Sequence, residues 1–199
     1  MITKLINPFK YIAGVESLVV GILIILATAY IGYSSNTHFP DLISIKTCPD
    51  LPVWYFLLQG LSNWIVISTV LYSCAAVWSP SSIRFVDIFG TQALARFPYL
   101  IASFIGFSGS INKFGKYMLW TVIQKGESIS LSTGNFVLAI SLIILTFLLT
   151  IWLVALMFNA FKISANLKGT KVVVLFIIAF IVSMVITSYL SKYLFSKFS

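Results

Sequence analysis

Arg96 sits in a stretch, residues 83–107, that is otherwise apolar enough to enter a membrane; Asp87 and Pro98 lie in the same stretch. A guanidinium is a fixed positive charge with a planar fork of donors that matches a carboxylate or phosphate. An ionisable group inside a membrane span marks a binding site or an ion path. The chemistry this residue offers is therefore anion binding. Glu16, near the start of the first apolar run, and Asp87 are the counter-charges for Arg96 when no anion is present. Gln59 and Asn63 are four apart in the second apolar run, so they share a helical face that points into a bundle. They line the same polar cavity or bond neighbouring helices. Plainer roles stand beside these. Glu16 fits an interfacial carboxylate at a helix N-terminus, where the dipole favours it. Arg96 fits a side chain that snorkels, or that bonds carbonyls loosened at a kink.

Other chemistry is thinner. His38, Asp41, Cys48 and Asp50 fall within thirteen residues, but their spacing matches no established metal-ligand pattern. With Pro40, Pro49 and Pro52 around them, they read as a polar loop. No metal or cofactor is expected. Cys48 lies in that loop and Cys74 inside an apolar run, whereas a disulfide needs Cα atoms within about 7 Å. Cys74 reads as a small packing residue. No nucleophile–base set is visible, and no two aspartates sit on facing spans, so the chain reads as non-enzymatic.

The composition sets the solvent. Of 199 residues, 59% are hydrophobic and 9% charged, against roughly 25% charged in soluble domains. Mean hydropathy is +1.02. Too little polar surface remains to cover a water-soluble globule, so lipid surrounds most of the chain. The net charge of +8 does not point to nucleic acid: the lysines flank apolar runs, where they anchor to anionic headgroups, and no basic patch interleaved with aromatics exists. The apolar runs lack the period-2 alternation of a lipid-facing β-barrel.

The elements that must position these residues are helices. Apolar runs at about 11–33, 54–78, 136–158 and 172–190 read as spans, and 83–107 as a fifth, kinked at Pro98, in one domain over residues 1–199. The first run is too long for a signal peptide and reads as a retained span. Trp54 and Trp78 are separated by about 36 Å of helix, one at each interface. The third segment opens with a polar stripe, Arg84, Asp87 and Thr91, opposite Ile83, Val86, Phe89 and Ala93, as an interfacial helix would. Residues 108–134, with Lys113, Lys116, Tyr117, Trp120, Lys125 and Glu127, read as an interfacial helix and a polar turn. The short connector holding Asn166, Lys168 and Lys171 makes the last two spans antiparallel neighbours. Cytoplasmic loops should be rich in Lys and Arg. Five spans divide them six against six, with Arg96 set aside, whereas four spans divide them nine against four. Charge alone therefore removes the third segment from the membrane.

Three stretches oppose that removal: Asn7-Pro8-Phe9-Lys10 before the first span; Asp87-Ile88-Phe89-Gly90 leading to Ala95-Arg96-Phe97-Pro98; and Trp152 followed by Ala160-Phe161-Lys162 and Asn166-Leu167-Lys168-Gly169-Thr170-Lys171. In order and placement the chain resembles the Yip1 family in its bacterial form. The resemblance implies an all-α, polytopic bundle of five membrane helices in a bacterial cytoplasmic membrane, with the N-terminus inside and the C-terminus outside. Eukaryotic relatives act in vesicle traffic and contact Rab-type GTPases through a cytosolic N-terminal region. Only about ten residues precede the first span here, so that partner does not carry over, and the family supplies no catalytic residues to transfer. Two functions follow as expectations. One is a non-enzymatic role in membrane organisation, or as an accessory subunit, with the bilayer, a larger protein or a second copy as partner. The other is a small transporter or lipid-translocating protein built around Arg96.

Overall fold

The computed structural model describes residues 7–47, 51–123 and 130–198. Five helical stretches are long and apolar enough to cross a membrane: Gly14–Ser35, Val53–Trp78, Phe85–Ser108, Thr133–Ser164 and Gly169–Lys197. The chain is an integral membrane protein with an all-α, polytopic architecture. The elements are α1 (Gly14–Ser35), β1 (Thr37–His38), β2 (Lys46–Thr47), α2 (Val53–Trp78), α3 (Phe85–Leu94), α4 (Phe97–Ala102), α5 (Ser110–Ile123), α6 (Thr133–Ser164) and α7 (Gly169–Phe198). Lys4, Cys48, Asp50, Lys125 and Glu127 lie outside the described residues.

Local chemistry sets the helix ends. α1 stops at Asn36, whose left-handed backbone (φ 55°) is a common helix terminator. α6 starts where the Ser132 side chain accepts a hydrogen bond from the Asn135 N–H. That is three residues before the apolar run begins, and α6 continues six residues past its end. At 32 residues it spans about 48 Å, longer than the roughly 30 Å hydrocarbon core. α7 likewise extends beyond 172–190 at both ends.

The third span, Phe85–Ser108, is a broken helix: α3, α4 and a 3₁₀ turn, Ile105–Ser108. Its most apolar window is 78% buried within the protein, whereas the corresponding windows of the other four spans are 17–33% buried. The charge count is thus overruled, and the segment runs through the bundle. The expected amphipathic approach is corrected too. Residues Ile88 to Leu94 are buried without a break. Of the polar stripe, Arg84 is exposed and Asp87 half-buried, whereas Thr91 meets protein, its Oγ1 pairing with Ser164 Oγ at 2.9 Å; the neighbouring Gln92 Nε2 donates to Met157 O at 3.0 Å.

α1 and the third span run parallel in close contact. Ser17, Gly21, Gly32 and Ser35 are among the residues α1 buries. A Cβ on Gly21 would strike Ala93, and one on Gly90 would strike Ser17 Oγ and Gly14 O, so glycine permits this approach. Further along, Ser35 Oγ donates to Ser103 O at 2.6 Å. α2 joins through Trp64 Nε1, which donates to Phe89 O at 2.9 Å. The last two helices meet near their connector, where Phe158 and Phe161 contact Phe176. Beyond it they serve different partners: α6 packs mainly on the third span and α5, and α7 mainly on α2. α5 is largely exposed and carries Lys113, Lys116 and Trp120 on its surface, the disposition of an interfacial helix.

Candidate functional site

The break in the third span falls at Ala95 and Arg96. Arg96 N donates to Ala93 O (3.1 Å) and Tyr99 N to Arg96 O (2.9 Å), tight turns in place of α-helical pairing. Pro98 sits in the first turn of α4, where a missing N–H leaves no bond unmade. The irregular backbone is largely enclosed by other helices, a setting in which a membrane interior tolerates it.

Arg96 is 4% exposed. Its Nε and Nη2 are buried and have no hydrogen-bond partner among the described residues. The side chain borders a cavity with Ile25, Thr28 and Ala29 of α1, Phe56, Gln59, Gly60 and Asn63 of α2, Thr37, His38 and Phe39 of the first loop, and Tyr99 of α4. About 20 Å³ of the cavity is open to the centre of a water-sized sphere, and one water needs roughly 10–15 Å³ by this measure. Among the described residues, no Asp or Glu lines it.

Gln59 and Asn63 both face inward and both border this cavity, yet their polar atoms are engaged. Gln59 Oε1 accepts from Phe39 N at 3.0 Å, while its Nε2 donates to Tyr55 Oη (2.9 Å) and Ser191 Oγ (3.1 Å). Asn63 Nδ2 donates to Phe39 O (2.8 Å) and Asp41 O (3.2 Å). The two amides clamp the first loop into the end of the bundle. Tyr99 completes the clamp by donating to Leu42 O at 2.7 Å and stacking on Phe39 with ring centroids 4.3 Å apart. The expectation of a simple polar loop is therefore corrected. Residues 37–39, 41 and 42 are buried, and the short β1–β2 ladder pairs His38 with Lys46.

The carboxylates do not come to Arg96. Glu16 is exposed on the first turn of α1. Asp87 is half-buried beside Gly14 at that same end of the bundle, nine residues before Arg96, or roughly 14 Å of helix. Arg96 lies instead at the level of Ile25 to Ala29, deep along α1. Both acids sit where the bundle meets its boundary, and charge favours that wetter setting.

His38 and Tyr99 are the site residues that the sequence reading missed. Tyr99 carried a signal, being three residues from Arg96 on a helix. His38 carried none. His38 Nδ1 is 3.4 Å from Tyr55 Oη. Burial pushes its pKa below the ordinary histidine value; a hydrogen bond with Gln59 opposes that shift, and the nearby Lys46 charge adds to it. Among the described residues no cluster of three or more His, Cys, Asp or Glu could hold a metal ion. Cys74 is a free, half-buried thiol packed against the core.

No protein-family model matches this chain, and neither does any curated protein or solved structure. What the fold and site define is an integral membrane protein whose broken, buried span presents a cation, two of its nitrogens unpartnered among the described residues, to a small cavity.

Proposed function

We propose that this protein is a non-enzymatic membrane protein that binds an anion at Arg96 and passes it across the bilayer. One observation carries the reading: a guanidinium 96% buried, facing a cavity, with Nε and Nη2 unpartnered and no acid in the cavity lining among the described residues. An uncompensated buried charge costs several kcal/mol, and an anion at those two nitrogens removes that cost. A span broken at mid-depth is a device shared with transporters, whose sites lie near the midplane. The resemblance to the Yip1 family supports five spans with the N-terminus in the cytoplasm of a bacterial cell, which turns the first loop outward. A membrane-organising or accessory role is the second reading, supported by the short loops and by a sequence without a nucleotide motif or a nucleophile–base set.

The test is anion-dependent stability of the purified protein. In gluconate buffer, adding a bound anion at one hundred times its Kd stabilises the folded form by about 2.7 kcal/mol. Arg96→Gln keeps a polar side chain and removes the charge; the expected result is a folded protein whose melting temperature no longer responds to anions. An equal response in wild type and Arg96→Gln sinks the proposal, as does no response in wild type.

A further inference from the structure

We infer that the anion is a small monovalent ion of the halide class, and that it enters from the first-loop end through a cleft between Lys46 and Lys192. The inference rests on the anion-binding reading above and names its ligand and its route.

Size and charge select the ligand. The opening of about 20 Å³ beside Arg96 admits one or two water-sized particles. A phosphate group or a lipid headgroup does not fit without parting the helices. One guanidinium balances one negative charge, and a dianion would leave a second charge buried and unpaired. Ile25, Ala29 and Phe56 form apolar walls around the opening. Such walls offer little to replace a hydration shell, which favours an ion that sheds water readily.

The route follows from His38, which borders both the inner cavity and a separate, outward-opening cleft of about 460 Å³. Lys46 and Lys192 line this cleft, and both are exposed. Among the described residues its one acid is Asp41, which is turned into its own loop: Oδ1 accepts from Ile43 N and Ser44 N, and Oδ2 from Ser44 Oγ at 2.6 Å. The mouth is therefore net positive, and a cleft of one sign concentrates counter-ions. Between mouth and cavity stand His38, Tyr55 and Gln59, joined by Tyr55 Oη. His38 is the residue that lines both spaces, and movement of its ring is the step the inference assigns to passage between them.

Proteoliposomes containing the full chain test both parts. Wild type should carry chloride and bromide and should not carry phosphate or glycerol phosphate; the same halides, and not the phosphates, should raise its melting temperature. Lys46→Gln/Lys192→Gln changes only exposed mouth residues. It should lower halide flux several-fold at low ionic strength, with the loss fading in high gluconate, while halide still stabilises the protein. Phosphate carried as fast as chloride overturns the ligand class and leaves anion binding at Arg96 intact. Halide flux unchanged in the double variant overturns the entrance. Absence of any anion effect, on flux or on stability, overturns the underlying reading instead.

Discussion

The third span and α6 lie side by side and follow opposite rules. The third span has the lowest mean hydropathy of the five, 1.2, and its window is 78% buried; α6 has the highest, 2.8, and its window is 17% buried. In a water-soluble protein the more apolar helix would be inside. Here lipid is the outer solvent, and it is as apolar as leucine, so oiliness no longer drives a helix inward. What needs enclosure is the helix with polar side chains and a broken backbone. Thr91, Gln92, Arg96 and Ser103 are all buried in it. The outer faces of α6, such as Ile144, Phe147 and Leu148, are exposed on the surface of the bundle.

The comparison breaks most readily at the seam that lets the third span in. Gly90→Leu drives a side chain into Ser17 and the Gly14 backbone. Backbone cannot step aside as a side-chain tip can, so the cost should reach about 3 kcal/mol or more. Melting in detergent should show a large drop in stability or loss of the folded protein. A melt like that of wild type would mean the α1 contact is not close.

The next effect concerns the clamp. Asn63→Leu leaves Phe39 O and Asp41 O without the donor they share, at about 1–3 kcal/mol for each stranded acceptor. Limited proteolysis should then cut the first loop in the variant under conditions that spare it in wild type. Equal resistance would show that the loop holds its place without the amide.

This clamp marks the boundary of what the residues alone reveal. The apolar segments, the inward face of Gln59 and Asn63 and the break near Pro98 were legible, because helical periodicity and the missing proline N–H are local facts; that the third segment spans rested on the family resemblance, against the charge count. The loop was not, because its burial depends on partners far off in the chain: Phe39 with Gln59 and Asn63, and Leu42 with Tyr99. A run such as Thr37-His38-Phe39-Pro40-Asp41 has no period that announces a plug. Spacing left Glu16 with two readings, an interfacial carboxylate or a partner for Arg96, and did not reveal that Asp87 stops at the same boundary. Pairing them with Arg96 assumed that charges seek each other, whereas both acids lie at the end of the bundle where α1 begins.

The clamped region should also respond to pH, whereas the α6 window, which contains no ionisable residue, should not. His38 resists protonation in the folded protein because it is buried, and Lys46 adds to that resistance. As pH falls below about 6.5, the unfolded chain takes up a proton that the folded protein does not. Stability should therefore decline on acidification, by at most about 1.4 kcal/mol per pH unit for one proton. It should be fully present above that range. His38→Gln should flatten this part of the profile between pH 7 and pH 5. A profile of unchanged slope would assign the response to other groups.

The smallest effect is the sharpest check on the comparison. Ile144 on α6 is 55% exposed, which in water would mark it as a misplaced apolar residue. Against lipid, trimming it should be nearly neutral, because chain ends of the bilayer fill the space that the side chain leaves. Ile144→Ala should shift stability by no more than about 0.5 kcal/mol, measured by melting in detergent and again in bilayer discs. The same truncation at Ile88, which is fully buried in α3, should cost about 2–5 kcal/mol, since no lipid reaches that cavity. If both changes cost the same, α6 is not a lipid-facing helix but one face of a larger assembly, and the contrast between the two spans dissolves.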